Sequence, residues 1–99
     1  MVKHLAMFYF TDKVTDENRD EIKKMLEDSI AKVEAANIKG AIRSKIVYNN
    51  VAGMPDFGVY GEFESFEALA EYQVHPEHVK YKNAAAPYSR DRVVFDWED

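Results

Sequence analysis

Residues 2–10 read "VKHLAMFYF", and the fold turns on how that stretch distributes its side chains. In a strand, alternate side chains leave on opposite faces. One set is Val2, His4, Ala6, Phe8 and Phe10; the other is Lys3, Leu5, Met7 and Tyr9. Both sets are largely apolar, so both faces of this strand need cover. A single layer of helices covers only one. A second copy of the same sheet is the simplest cover for the other.

The following segments supply the rest of the sheet and its helices. "VTDENRDEIKKMLEDSIAKVEAANIKG" predicts a long helix, with Thr15 as N-cap and Asp16 and Glu17 near its positive end. Ile22, Met25, Leu26, Ile30 and Val33 form its apolar stripe, and Gly40 marks the exit. Residues 41–49 predict a strand with Ile42, Ile46 and Tyr48 on one face. "NVAGMPD" has the composition of a turn, and "FGVYGEFE" at 57–64 is a strand with Phe57, Val59 and Phe63 on one side. Ser65 caps a short helix, "FEALAEYQ". Pro76 suits the first position of a second helical piece running to about Ala85, and it disfavours helical geometry at His75. Residues 90–98 close the chain as a strand with Val93, Phe95 and Trp97 in phase.

The order β-α-β-β-α-β is the split arrangement of a ferredoxin-like α+β fold, a four-stranded antiparallel sheet with helices on one face. Two such sheets face to face, with the helices outside, would make a symmetric dimer. Ninety-nine residues, 1–99, make one domain with a modest core. Net charge is −5 and the basic residues are scattered, so polyanionic partners such as nucleic acid or a membrane surface are repelled. There is no cysteine, hence no thiolate nucleophile and no Cys-ligated zinc. No segment approaches the ~20 apolar residues of a membrane span. The start lacks the apolar length of a signal peptide, and the expected location is the cytoplasm. No dinucleotide fingerprint, P-loop or nucleophile elbow occurs.

The candidates for chemistry are the histidines. "EYQVHPEHVKY", residues 71–81, holds His75 and His78 around Pro76. With His4 they could supply three zinc ligands. However, the break at Pro76 does not place the pair on one regular helix face. His75 reads as a cap for the helix that follows. His78 falls on the third helical residue, where the helix dipole disfavours imidazolium and leaves a neutral base near pH 7. His4 lies in phase with an apolar face, where the plain reading is a core histidine bonded to a backbone carbonyl or a tyrosine. The plain reading of Tyr72 is an amphipathic core aromatic.

"MVKH" at the start, "FESFEALAEYQVHPEH" at 63–78 and "DRVVFDWE" at 91–98 together resemble the stress-responsive A/B barrel (Dabb) family, from end to end. The resemblance implies a dimeric α+β barrel with a pocket between sheet and helices. Many members have no assigned reaction. One branch comprises small polyketide cyclases that use histidines and a tyrosine as acid–base groups without a redox cofactor. Carried over by motif, the catalytic positions here are His4, Tyr72 and His78. His78 would take a proton from the carbon beside a carbonyl, Tyr72 would orient it or stabilise the oxyanion, and His4 would serve as hydrogen-bond donor or second acid–base group. The ligand implied is a small, largely apolar carbonyl or phenolic compound. The alternatives are a non-catalytic, ligand-binding or stress-protective dimer and, by fold analogy, a cofactor-free monooxygenase. Some members hold magnesium on backbone carbonyls near the first helix end, where this chain departs from the family with "ANIKGAI".

Overall fold

The computed structural model describes residues 1–99. Its strands are β1 (Val2–Phe10), β2 (Ala41–Tyr48), β3 (Phe57–Phe63) and β4 (Ser89–Glu98); its helices are α1 (Arg19–Ala35), α2 (Phe66–Val74) and α3 (Pro76–Ala85). A 3-10 turn, Ala86–Tyr88, leads from α3 into β4. The sheet is antiparallel with order β2-β3-β1-β4, which is the expected ferredoxin-like topology.

One face of β1 carries Val2, His4 and Ala6, all buried. Val2, Phe57, Val59 and Phe63 from the strands join Ile22, Leu26, Ile30 and Val33 of α1 and Leu69, Tyr72 and Tyr81 of the other helices in one core. Phe8 and Phe10 both stack on Phe57, each with ring centroids 5.2 Å apart. The opposite face of the sheet has no helix over it. There Leu5 pairs with Phe95 and Met7 with Val93, and Phe95 is 62% exposed.

Three local expectations are corrected. The N-cap residue of α1 is Asn18, not Thr15. Thr15 and Asn18 instead exchange hydrogen bonds: the Thr15 N–H donates to Asn18 Oδ1 (2.7 Å), and the Asn18 N–H donates to Thr15 Oγ1 (3.3 Å). That closes a turn before the helix begins. At the other end the left-handed residue is Asn37 (φ 52°), and Gly40 (φ 78°) serves a later turn into β2. A Cβ on Gly40 would lie 2.5 Å from Ala68 Cβ, so a glycine is required where β2 enters beneath α2.

Ile42 does not join the core face. Ala41 lies opposite Phe63 and Arg43 opposite Glu62, so Ile42 is the extra residue of a bulge and is 48% exposed. Ser44 is the buried residue on that strand instead.

Candidate active site

The block around Pro76 builds the site through a broken helix. Ser65 Oγ accepts from the Ala68 N–H at 3.1 Å and starts α2. Pro76 has no N–H to continue the ladder, so α2 ends and His75 becomes the N-cap of α3. The His75 Nδ1 accepts from the Glu77 N–H at 3.1 Å, as the sequence led us to expect. In an unbroken helix that N–H would bond the Gln73 carbonyl. The cap therefore releases the Gln73 carbonyl, which accepts from His78 Nδ1 at 3.3 Å. With its proton held on Nδ1, His78 leaves Nε2 as a free lone pair.

His78 is buried and its pKa is pushed down to about 4. Burial is the main cause, rather than the helix end, with Lys82, His4 and Arg92 adding repulsion and the Gln73 carbonyl opposing. The folded protein thus refuses a proton that the unfolded chain takes up near pH 6.5. Stability should be full above about pH 6.5 and fall as the solution is acidified toward 5. Thermal melts of wild type and His78→Gln at pH 7 and 5 check this: the variant should lose less stability than wild type. Equal losses would show that His78 titrates normally.

His4 faces the same space from β1. Its Nδ1 is in close contact with Asp96 Oδ1, and the two residues lie directly opposite each other in the β1–β4 register. Asp96 is not among the sequence candidates. It falls between Phe95 and Trp97, out of phase with the open-face set, and that alternation is the signal that it shares a face with His4. A carboxylate on Nδ1 fixes the proton there and leaves His4 Nε2 free as well.

Between β1 and α3 lies a cavity of about 560 Å³, bordered by both His4 and His78. Ala6, Phe8, Val59 and Ala85 give it an apolar floor, and Lys82 and Arg92 also border it. Tyr72 does not. Its ring packs against His78, centroids 4.4 Å apart, and its hydroxyl accepts from Ser44 Oγ at 3.1 Å within the core. The tyrosine that does face the cavity is Tyr81, three residues after His78 and on the same side of α3. Its hydroxyl is buried with no hydrogen-bond partner, and burial raises the phenol's pKa, so it keeps a proton to donate.

No group of three or more His, Cys, Asp or Glu side chains is placed to hold a metal ion. The Nδ1 of His75 is taken up by its cap, accepting from the Glu77 N–H. After α1, the carbonyls of Lys32, Val33 and Glu34 already accept N–H groups from Ala36 and Asn37, and Ile38 and Gly40 accept from Ala41 and Glu64. No helix is long and apolar enough to cross a membrane.

The model of the Stress responsive A/B Barrel Domain matches residues 2–99. The chain belongs to this family. It is similar to olivetolic acid cyclase from Cannabis sativa, 28% identical over 98 residues that cover 97% of this chain and 94% of that protein. Among solved structures it is similar to a dimeric ferredoxin-like protein of unknown function from Bacteroides fragilis, with TM-score 0.85 and 25% identity. That match covers 99% of this chain and 95% of the other. A dimeric ferredoxin-like protein from Thermobifida fusca matches with TM-score 0.77 and 26% identity, covering 97% and 88% of the two chains.

Proposed function

We propose that the protein is a homodimeric, cofactor-independent acid–base enzyme of cyclase or lyase type, acting on a polyketide-like or phenolic carbonyl compound. The observation that carries this reading is the cavity bordered by two histidines, each with Nδ1 engaged and Nε2 free. Similarity to a cyclase over almost the whole chain supports it. In the reaction, His78 Nε2 takes a proton from the carbon beside a carbonyl. The resulting carbanion attacks a second carbonyl of the same molecule, and a carbon–carbon bond forms. The alkoxide so created regains a proton from the imidazolium, with Tyr81 donating a hydrogen bond to the developing oxyanion. His4 holds a substrate oxygen or serves as the second acid–base group. Tyr72 acts behind His78, packing against its ring and fixing its orientation.

The test is incubation with a panel of β-polyketo acids and their thioesters, scored by mass spectrometry for ring-closed products above the buffer rate. Ring closure supports the cyclase. Oxygen uptake with phenols, in its place, would select the monooxygenase. Specific ligand binding with no conversion of any substrate would select the non-catalytic dimer.

The dimer reading rests on the open sheet face, with Leu5, Met7, Val93, Phe95 and Trp97, and on similar proteins described as dimeric. Placing a charge in the middle of that face should abolish pairing. Wild type should elute at about twice its 11.4 kDa in light scattering at micromolar concentration, and Phe95→Glu at about 11.4 kDa. A wild-type monomer would refute the reading.

A further inference from the structure

The charge balance of the cavity is opposite to that of the chain. The protein has 18 acidic and 13 basic residues, yet Lys82 and Arg92 border the cavity and no aspartate or glutamate does. Neither cation takes part in any ion pair of the structure. Lys82 is carried by the same helix as His78 and Tyr81, four residues after the histidine. Its charge and that of Arg92 both act on the His78 ring, so the two cations and the base share one field.

Arg92 is delivered by an irregularity in β4. Val93 lies opposite Met7 and Arg90 opposite Tyr9, so Asp91 and Arg92 together occupy the place facing Phe8. Asp91 takes the left-handed conformation, φ 55°, which is unfavourable for a residue with a Cβ. In a regular strand Arg90 and Arg92 would share a face. The bulge separates them. Arg90 turns to the other side, over the Tyr9 ring at 5.0 Å and beside the Asp91 carboxylate. Arg92 keeps the phase of Val94 and Asp96, on the helix side, and makes no ion pair.

We propose that the cavity receives a ligand bearing a carboxylate, which Arg92 and Lys82 hold while the reacting part of the molecule lies on the apolar floor beside the histidines. A guanidinium matches a carboxylate through two parallel hydrogen bonds, and the adjoining ammonium adds a second charge-assisted contact. This inference rests on the cavity being the ligand site. It narrows the substrate class to acids.

The experiment compares 4-butylbenzoate with 4-butylbenzamide, which has nearly the same shape and no charge. Binding is measured by calorimetry, and the site is reported by the His78 imidazole resonances in NMR. Wild type should bind the acid at least ~10-fold more tightly than the amide, a preference that salt weakens. Arg92→Gln and Lys82→Gln should each erode the preference, and the double variant should abolish it while still binding the amide. Both side chains are exposed, so the variants should keep the wild-type melting curve. Equal affinity of wild type for the two probes, with His78 shifting in both, would overturn the carboxylate site and leave the cavity reading intact. Binding of neither probe at His78 would overturn both. Displacement of the probes by coenzyme A without any benzoate preference would transfer the cations to a phosphate and overturn the carboxylate assignment.

Discussion

His78→Gln should lower turnover of a ring-closing substrate by about 10²–10⁴-fold, the usual contribution of a positioned general base. Glutamine is close in size, and its side-chain amide can keep a hydrogen bond to the Gln73 carbonyl that His78 now engages. The fold should therefore survive, and far-UV circular dichroism at pH 7 confirms that before any rate is compared. Stopped assays at saturating substrate then give kcat. The pH profile adds an independent reading. A base whose pKa is pushed down to about 4 remains neutral throughout the range from 7 to 5. The kcat/KM of wild type should thus be flat across that interval and fall only near pH 4. Wild-type kcat in His78→Gln would remove the histidine from the chemistry, and Tyr81 with it, since Tyr81 is placed only to assist a proton transfer there.

Phe63→Ala should destabilise the fold by about 3–5 kcal/mol, the range for deleting a large buried ring. Phe63 is 0% exposed. Its ring lies over Gly61, where a Cβ would come within 2.7 Å of it. On its other sides it meets His4 at 6.4 Å and Tyr72 at 4.8 Å between centroids, both edge-on. The residue therefore joins the strand side and the helix side of the site. A domain of this size has about 5–15 kcal/mol in total, so the loss should be plain in urea unfolding. A change below about 1 kcal/mol would mean that the ring is not packed as described. The same truncation should also loosen His4 and Tyr72, lowering activity in whatever fraction remains folded.

The elements that organise this fold are legible because their signals are local. Alternation in residues 2–10 identifies a strand with two apolar faces, Ser65 marks a helix start, and His75–Pro76 marks a break. The break also points His75 to capping without any structure, since helical geometry is disfavoured before proline and the ring can reach the next helix. What escaped depends on pairing across the chain. Asp96 meets His4 only because β4 lies beside β1 in one particular register, 92 residues apart in sequence. Resemblance implies a place at the substrate for Tyr72, whereas its hydroxyl bonds Ser44. That serine reaches the core through a bulge at Ile42 that strict alternation does not foresee. Tyr81 had no distinguishing neighbour in sequence; its interest comes from a hydroxyl left unpartnered by tertiary packing.

His75 is at once the C-cap of α2 and the N-cap of α3, and this joint has no slack. Each residue added after Pro76 would swing His78 by about 100° around the axis of α3 and out of the cavity. A residue added before it would unseat the cap that frees the Gln73 carbonyl. The cavity wall is therefore locked in length but open in composition. New specificities can arise here by exchanging side chains on α3, while insertions and deletions between Tyr72 and His78 are closed to it.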